Sequence, residues 1–457
     1  MKLAIIGAGG VRTPLLIQAL HLRQERLGID ELALMDIDLS RLMSIGAVTH
    51  RLEVNEGLRF RVKRTDNLQL ALSGADYVIT TFRVGGIESR VIDERVPLGA
   101  GLLGQETTGA GGFAMGLRSI PILIGITDLM KSVCPDAWVI NFANPAGMMV
   151  QALRSATDWK KMVGICDAPM QFLSVFAGLL QTDNEQVELD YFGLNHLGWI
   201  RAIRNNGHDH LPEFIDLLLK MGGIPRFPFD PQLVATLGML PNEYLYYYYY
   251  NRQAVDNIQK AGVTRGEQIL AENQLLFGKI NGLIEKKEYQ AIENIYQEYI
   301  QHRGSTYMQN ETGGEITGGN LETDKFIEQA SGEGYAGVAL ELIESLQGKK
   351  DQRMILNVPN QRAIQAMADD DIVEIPCTVS RNSIQPIPVE AIPDHCLGLM
   401  KSVKAYEYLT IEAALEKSFD KAVHALTIHP LVQDYRLAKQ ILDGYLAQHG
   451  DYFPRLI

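Results

Sequence analysis

KLAIIGAGG, residues 2–10, is a short apolar run that ends in three closely spaced glycines, Gly7, Gly9 and Gly10. The run predicts a buried strand, and the apolar-periodic segment that follows, from about 13 to 27, predicts a helix. Glycines let a backbone approach a pyrophosphate closely, and the amino end of the helix adds a positive dipole. The stretch therefore predicts the first strand–turn–helix unit of a dinucleotide-binding domain.

The next strand supports this interpretation. It is ELALMDID (31–38), which places Asp36 directly after the apolar residues. In a dinucleotide-binding fold, an acid at this point holds the two ribose hydroxyls and repels a 2′-phosphate, so it favours NAD over NADP. The third glycine of the usual fingerprint is missing, because Arg12 stands there. A plain strand-to-helix turn of another α/β fold is the alternative that the fingerprint alone leaves open.

The pattern of strands and helices predicts two domains. Strand-like and helix-like segments alternate up to about residue 166, which predicts a parallel sheet. VELDYFGLNHLGW (187–199) breaks the alternation and predicts an antiparallel hairpin, and the chain beyond it has mostly helical patterns. We predict an α/β protein with an N-terminal Rossmann-like dinucleotide-binding domain (1–190) and a C-terminal mixed α+β, largely helical domain for substrate and oligomerisation (191–457).

Composition limits the partners. The formal net charge of −13 argues against nucleic acid and anionic lipid, because both bind basic surfaces. The four cysteines form neither a CxxC pair nor a small-domain disulfide framework, so we expect a reducing, cytoplasmic setting. The start, MKLAIIGAGG, does not have the pattern of a signal peptide. We also expect no membrane helix, since no apolar stretch reaches the roughly 20 residues it needs.

Polar residues follow the strand ADYVITTF (75–82), where ligands sit in open α/β sheets. Within the strand, Thr80 is a candidate NAD contact. Beyond it, Arg83 precedes the glycine-rich stretch ESRVIDERVPLGAGLLGQETTGAGG (88–112). Long glycine-rich segments inside a compact domain are usually functional, so we expect a substrate-binding loop here. A solvated surface loop with scattered charge is the alternative. The candidate substrate contacts are Arg83, Arg90 and Glu106.

GICDAP (164–169) and FGLNHLGW (192–199) carry a Cys and a His beside turn-forming residues. A thiolate and an imidazole leave a divalent ion with open positions, which suits a catalytic metal, so Cys166 and His196 are candidate ligands. The alternative is a buried apolar Cys and a hydrogen-bonded His. Further histidines at 208 and 210 lie in a predicted turn and are expected to be exposed.

Three other residues are candidates for chemistry. Asp167 follows the Cys directly and could be an outer ligand or an acid, although an N-cap is the structural alternative. Asn144, in NPAG, stands before a proline, which holds it extended and aims its amide. Tyr244 lies in LPNEYLYYYYYNRQAV (240–255), where most of the tyrosines are expected to pack in the interior.

These motifs together resemble a known family. GAGG, DID, FRVGG, GQET, NPAG, GICDAP, GLNHLGW, PNEYL, NVPN and VEIP follow one another along nearly the whole chain. In this combination the sequence resembles the family 4 glycoside hydrolases, above all those that act on 6-phosphoglucosides. The resemblance implies that NAD⁺ takes a hydride from carbon 3, a base removes the proton on carbon 2, the aglycone is eliminated, water adds and the hydride returns. It also implies a divalent ion, usually Mn²⁺, a phosphorylated disaccharide or glucoside as substrate, and a homodimer or homotetramer.

Matched position by position, the resemblance implies roles for single residues. Cys166 and His196 would be the metal ligands, Tyr244 the base and Asp167 the acid that assists the leaving group. Because the ordinary pKa of a tyrosine is high, a metal or nearby charge must lower that of the base. The implied substrate contacts are Arg90, Asn144 and Arg265, the last as a phosphate ligand.

Two positions depart from the family pattern and leave alternatives open. The Asp at 167 is typical of members that act on α-linked substrates, whereas PNEYLYYYY and NVPN favour β-linked ones. Tyr246 stands where many members have Arg, which leaves room for an unphosphorylated sugar. Outside the family, a lactate- or malate-type 2-hydroxy-acid dehydrogenase fits the dinucleotide half but needs neither a metal nor a tyrosine base. A non-catalytic NAD-binding sensor is a further alternative.

Overall fold

The computed structural model describes residues 1–55, 57–224, 227–314 and 334–457. The strands are β1 (Lys2–Ile6), β2 (Glu31–Met35), β3 (Arg61–Thr65), β4 (Tyr77–Thr80), β5 (Trp138–Asn141), β6 (Met162–Gly164), β7 (Val187–Leu194), β8 (Leu197–Asn205), β9 (His208–Asp209), β10 (Leu240–Pro241), β11 (Gln352–Pro359), β12 (Ile372–Ser380) and β13 (Ser383–Pro386). The α-helices are α1 (Thr13–Leu27), α2 (Leu39–Val48), α3 (His50–Asn55), α4 (Leu68–Leu72), α5 (Gly86–Gly99), α6 (Gly109–Val133), α7 (Ala146–Ala156), α8 (Ala168–Leu179), α9 (Leu211–Met221), α10 (Pro231–Leu237), α11 (Tyr246–Tyr249), α12 (Asn251–Ala261), α13 (Arg265–Lys286), α14 (Tyr289–Ser305), α15 (Gly334–Leu346), α16 (Asp394–Glu416), α17 (Phe419–Ile428) and α18 (Tyr435–His449).

The main sheet confirms the predicted Rossmann-like half. Six parallel strands lie in the order β3-β2-β1-β4-β5-β6, so their carboxyl ends share one edge. The strand order reverses between β1 and β4, and open α/β sheets bind their ligands at such a switch point. The glycine turn after β1 lies at this point, since backbone N–H groups of Gly7 and Ala8 both donate to Met35 O at 2.9 Å.

Strands from the second half of the chain extend this sheet. β11 pairs antiparallel with β6, and β12 and β13 follow, also antiparallel. The contact point is tight, because a Cβ on Gly164 would lie 2.8 Å from Cβ of Asn357. A division of the chain at about residue 190 stays a prediction, since residues of the second half complete the sheet of the first.

A smaller sheet carries the predicted hairpin. β7 and β8 pair antiparallel through Leu194 and Leu197, which confirms the hairpin expected from VELDYFGLNHLGW. Asn195 and His196 form its turn, with His196 at a φ of +61°. β9 and β10 both pair with β8, and β10 leads into the PNEY segment. The hairpin turn and the PNEY segment are thereby joined through one strand.

The stretch predicted as a glycine-rich loop is mostly helical. α5 and α6 cover most of it, and only residues 100–108 connect them. α6 has 25 residues and is long and apolar enough, by length and composition alone, to cross a membrane. Arg118 and Asp128 interrupt its apolar residues, so α6 contains no uninterrupted apolar stretch of the roughly 20 residues that a membrane helix needs. In addition, 67% of its most apolar window is buried inside the protein, as in the core helix of a globular fold.

Two apolar clusters place the helices around the switch point. The larger runs from β1 through α6 and the hairpin to the C-terminal helices, so both halves share one core. The smaller joins α2, α13 and α14 behind the glycine turn, where the Tyr296 hydroxyl donates to Val11 O at 2.7 Å. Because α13 and α14 are antiparallel neighbours, the start of α13 and the end of α14 lie together beside the turn.

The close approach of β1 and β4 gives a test of the glycine turn. Gly7 has a φ of +93°, and a Cβ there would lie 2.5 Å from the backbone N of Phe82. Gly28, at the end of α1, has a φ of +63° but open space around it. We expect Gly28→Ala to cost about 1–2 kcal/mol for the left-handed backbone alone. Gly7→Ala should cost roughly a further 1–3 kcal/mol from overpacking. Urea unfolding of both variants measures the difference; equal losses would show that the backbone at Phe82 yields without cost.

Candidate active site

A cavity of about 2290 Å³ opens at the carboxyl edge of the main sheet. It collects nearly all of the site residues that the sequence predicts, although they come from separate segments. The predicted residues that line it are Gly7, Gly9, Gly10, Asp36, Arg83, Arg90, Glu106, Asn144, Cys166, Asp167, His196, Tyr244 and Arg265.

Thr80 is the exception, and the prediction of a direct cofactor contact needs correction. Its side chain is fully buried in β4, and its hydroxyl donates to Asn141 Oδ1 on the neighbouring strand at 2.8 Å. The following residue, Thr81, lines the cavity instead. Successive side chains of a strand point to opposite faces, so a shift of one residue decides which of them can meet a ligand.

The glycine turn and Asp36 form a tight cradle. The N–H of Gly9 donates to Asp36 Oδ2 at 2.7 Å, and the N–H of Asp38 donates to Oδ1 at 3.0 Å. A Cβ on Gly9 would lie 2.8 Å from Asp36 Oδ2, so only glycine fits between backbone and carboxylate. An acid fixed against a glycine turn at the switch point is the arrangement that holds the ribose of a dinucleotide.

Arg12, which replaces the third glycine of the fingerprint, reaches across the cavity. Its Nη1 lies 3.3 Å from Asp167 Oδ2. Asp167 occupies the N-cap position of α8, but its side chain makes no capping hydrogen bond. Of the two sequence-based readings of Asp167, the structure supports a side chain directed to the cavity rather than a helix cap.

His196 contacts a hydroxyl that the chain holds in place. Its Nδ1 lies 2.9 Å from Thr107 Oγ1. Gln105 Oε1 accepts the backbone N–H groups of Thr107 at 2.6 Å and of Thr108 at 2.7 Å, so the segment that carries this hydroxyl is fixed. When Nδ1 donates to the hydroxyl, Nε2 keeps the lone pair that a metal ligand needs.

The surroundings keep the imidazole neutral. The ring of His196 stacks on that of Tyr244, with centroids 3.6 Å apart and planes 8° apart. Burial lowers the pKa of His196 to about 4, although Glu106 and Asp167 oppose the shift. At neutral pH the ring is therefore uncharged, as a metal ligand must be.

Cys166 lies just beyond the end of β6 and is buried at the cavity wall. Burial raises the pKa of its thiol well above the usual value, and the carboxylates of Glu374 and Asp167 add to the shift. Asp167 thus acts electrostatically on both Cys166 and His196. A thiol in such surroundings ionises only beside a cation, so the donor set of this wall fits a divalent metal ion.

The predicted substrate residues near α5 bind one another. Glu106 pairs with both Arg83 and Arg90, the latter at 3.0 Å, and Arg90 also pairs with Glu94 at 2.7 Å. Burial opposes the shift, but the guanidinium groups of Arg83, Arg90 and Arg303 lower the pKa of Glu106 to about 2. Glu106, Arg83 and Arg90 therefore form a rigid, largely neutralised wall of the cavity.

Two other arginines, Arg265 and Arg303, bind neutral groups. Arg265 donates to Thr306 Oγ1 at 2.8 Å and to the carbonyl of Arg303 at 2.7 Å. Arg303 donates to the Tyr299 hydroxyl at 2.7 Å. Within the described ranges, neither guanidinium pairs with a carboxylate, and burial lowers the pKa of both. Two adjacent cations at the cavity wall, Arg265 buried and Arg303 partly buried, suit an anion.

The PNEY segment places Tyr244 over the imidazole. Asn242 Oδ1 accepts the backbone N–H of Tyr244 at 3.0 Å and so fixes the short turn Glu243–Leu245. Burial raises the pKa of Tyr244 well above its usual value, as do Tyr307 and Glu243. A phenol here needs a cation to ionise, in agreement with the expectation from the sequence. Tyr246 does not line the cavity, since it stacks on Tyr250 at 4.9 Å.

Comparison with known proteins decides the family. The model of the family described as "Family 4 glycosyl hydrolase" matches residues 2–181, and the model described as "Family 4 glycosyl hydrolase C-terminal domain" matches residues 191–432. The chain belongs to glycoside hydrolase family 4. It is 30% identical to the probable 6-phospho-beta-glucosidase of Bacillus subtilis, over 100% of this chain and 98% of that protein.

Two solved structures of family 4 enzymes are similar over the full length. The 6-phospho-beta-glucosidase of Thermotoga maritima, solved with manganese, NAD⁺ and glucose-6-phosphate, has a TM-score of 0.81 at 29% identity, with 100% of each chain covered. A 6-phospho-alpha-glucosidase from gut microorganisms, solved with NAD and Mn²⁺, has a TM-score of 0.82 at 26% identity, covering 100% of this chain and 99% of that chain. Enzymes of both anomeric types are thus similar to this family 4 chain.

Sequence reasoning missed several residues of this family 4 site. Arg303 and Tyr307 line the cavity from the end of α14, where HRGSTY gives only a weak signal. Glu243 lines it too, and burial, with Asp167 and Glu374 nearby, raises the pKa of its carboxyl to about 7. Thr107 was passed over within GQET. Each lies beside a residue that the sequence did single out.

The carboxylate that organises the site was also missed. Glu374 is buried on β12 and accepts hydrogen bonds from the Tyr191 hydroxyl at 2.6 Å and from Asn195 and Asn357 at 3.1 and 2.9 Å. Asn195 Oδ1 in turn accepts the N–H of Ala146 at 3.2 Å. A single acid inside the apolar run IVEIPCTV (372–379) is the signal that could have revealed it.

The alternative metal ligands lie elsewhere on this family 4 chain. The ligand atoms of His208, His210 and Glu213 are within 4.8 Å of one another, where β9 leads into the first turn of α9. None of the three lines the cavity. The structure therefore separates them from Cys166 and His196.

The contribution of the Thr107 hydroxyl to metal binding by His196 can be tested. We expect Thr107→Val to remove the hydrogen bond to Nδ1 of His196. Binding of a divalent ion should weaken by about 10- to 100-fold, the usual effect of losing such a partner. Thr107→Ser keeps the hydroxyl and should bind as the unchanged protein does. Calorimetric titration with Mn²⁺ measures both. Equal affinity in the valine variant would show that the hairpin turn alone fixes the ring.

Proposed function

We propose that this protein hydrolyses 6-phosphoglucosides, with β-linked substrates favoured, and that it uses NAD and a divalent ion such as Mn²⁺. The observation that carries the proposal is the pair of adjacent arginines, Arg265 and Arg303, in the same cavity as Cys166 and His196. An acidic protein can bind an anionic sugar only where cations are concentrated, and a guanidinium fork suits a phosphate dianion. Relatives named for 6-phosphoglucosides support the same substrate class.

The cofactors have residues that fit them. Gly7, Gly9, Gly10 and Asp36 would hold the dinucleotide, because the Gly9–Asp36 contact leaves room only for backbone. Cys166 Sγ and His196 Nε2 would hold the ion. When bound, NAD supplies a hydride acceptor for carbon 3 of the sugar, and the ion polarises the oxygens on carbons 2 and 3.

The side chains of the protein would carry the proton transfers. Tyr244, whose ring is fixed against His196, removes the proton on carbon 2. Asp167, which lies 3.3 Å from Arg12, would have to be protonated in the bound complex and would then give its proton to the glycosidic oxygen as the bond at carbon 1 breaks. Arg265 and Arg303 bind the 6-phosphate, while the Arg83–Glu106–Arg90 wall and Asn144 bound the sugar. Each group acts on a different atom of one bound substrate.

An α-linked substrate is the second candidate. The Asp at 167 favours it, and α- and β-type structures are about equally similar to this chain, with TM-scores of 0.82 and 0.81. Hydrolysis of an unphosphorylated glucoside is disfavoured because it leaves Arg265 and Arg303 without an anion. Cytoplasmic location, consistent with four unpaired cysteines, and assembly as a homodimer or homotetramer complete the proposal.

The function is tested with nitrophenyl α- and β-glucosides, each with and without a 6-phosphate, in NAD⁺, Mn²⁺ and a thiol reductant. We expect nitrophenol release from the phosphorylated β-glucoside, no accumulation of NADH, and loss of a carbon 2 deuterium label to solvent. Cys166→Ser should abolish turnover while NAD still binds, and Cys134→Ser, at a buried cysteine outside the cavity, should not. Full retention of the label, or steady build-up of NADH, would refute the elimination route.

The phosphate site has its own test. Arg303→Gln removes one of the two cations, so we expect the dissociation constant for glucose-6-phosphate to rise about 10- to 100-fold, the usual effect of losing a charged hydrogen bond. Binding of NAD should stay within twofold. Arg51→Gln is the matched control, since Arg51 pairs with Glu293 of α14 but does not line the cavity. If Arg303→Gln binds the sugar phosphate normally, the phosphate lies elsewhere.

A further inference from the structure

One face of α8 lines the cavity along its whole length. The residues on that face are Gln171, Phe172, Val175, Phe176 and Leu179, at helical i, i+4 and i+8 spacing. The face begins directly after Asp167, which forms the N-cap of the same helix. Four of its five side chains are apolar, so α8 provides an apolar wall that starts at the proposed acid.

The opposite wall is apolar as well. It consists of Phe214 from α9, Ile224, Phe227 and Leu240 of β10. The ring of Phe176 meets that of Phe214 edge-on, with centroids 5.3 Å apart, and so closes one side. Together these nine residues of α8 and the opposite wall define the apolar lobe of the cavity. Gln171 is the only one of them with a polar side chain.

Two other parts of the cavity have proposed ligands. The glycine turn and Asp36 would take the dinucleotide, and Arg265 and Arg303, where α13 begins and α14 ends, would take the phosphate. The apolar lobe has no charge to attract either a phosphate or a ribose. It adjoins Asp167, the group that would meet the glycosidic oxygen. A group that leaves carbon 1 next to Asp167 therefore borders this lobe.

We propose that the apolar lobe is the leaving-group site and that it takes an aryl or alkyl aglycone in preference to a second sugar. This inference rests on the proposed function. A sugar placed between these walls would lose the water bound to its hydroxyls and find only Gln171 as a partner. An aryl or alkyl group instead gains from burial, by about three- to fourfold in affinity for each methylene removed from water.

The experiment uses n-alkyl glucoside 6-phosphates from methyl to octyl, of whichever anomer is hydrolysed as the methyl compound. Their leaving alcohols are of similar basicity, so differences in kcat/KM report contacts in the lobe rather than bond reactivity. We expect kcat/KM to rise about three- to fourfold per methylene until the lobe is filled. A disaccharide 6-phosphate should fall below the hexyl compound. The full-length protein is used with NAD⁺ and Mn²⁺.

Variants locate the effect. Phe172→Ser and Val175→Asn place polar groups in the wall, and each should reduce the gain per methylene by at least half. Two variants are used so that, if one fails to fold, the other still measures the effect of chain length. Ser174→Ala is the control, because Ser174 lies on the same helix but not on the cavity face. It should leave both the activity and the dependence on chain length unchanged.

The outcomes distinguish failure of the leaving-group site from failure of the proposed function. If no methyl glucoside 6-phosphate is hydrolysed, the proposed function fails. If the methyl compound is hydrolysed but longer chains bring no gain, or the disaccharide is preferred, the function stands and the inference is wrong. A lobe that serves instead as a contact between two copies of the chain would give a flat series, and Phe172→Ser would then change the mass measured by light scattering.

Discussion

The buried carboxylate of Glu374 holds the site together. It stands on β12 in the main sheet, yet two of its three donors, Tyr191 and Asn195, belong to the hairpin of the smaller sheet. Burying a carboxylate is costly unless its oxygens are hydrogen-bonded, so the chain must bring all three donors to it. Because Asn195 precedes His196 and binds the turn that follows Asn144, satisfying one acid fixes two functional turns at once.

Electrostatics in this cavity come from local arrangement rather than total charge. The chain carries a net charge of −13, but Glu94 and Glu106 on the α5 wall each pair with an arginine. Arg265 and Arg303 pair with no carboxylate among the described residues, and they meet because α13 and α14 are antiparallel. A small apolar cluster behind the glycine turn keeps that helical pair in place. The apolar packing of α2, α13 and α14 thus fixes the position of these two positive charges in the cavity.

The sequence allowed prediction of features that depend on neighbours along the chain. The glycine turn, Asp36, the hairpin and the Cys–His wall follow local patterns, and the structure places them in one cavity. The prediction that Thr80 contacts the cofactor was wrong because successive side chains of a strand point to opposite faces. Thr81, the next residue, lines the cavity instead. The role of Glu374 could not be derived from its local signal, since its partners lie far away in sequence: β11 and β12 add to β6 across nearly two hundred residues, and no local pattern specifies that pairing.

The missing third glycine shows how the dinucleotide turn is tied to the sugar chemistry. In a simple dinucleotide fold that glycine serves only the packing of helix on strand. Here the side chain of Arg12 leaves the start of α1 and meets Asp167 at the start of α8. The turn that would contact the dinucleotide and the acid that would meet the glycosidic bond therefore share one ion pair. Glycine at residue 12 would keep the dinucleotide turn but would remove the ion pair with Asp167. The departure from the fingerprint therefore links the cofactor site to the proposed acid within one cavity.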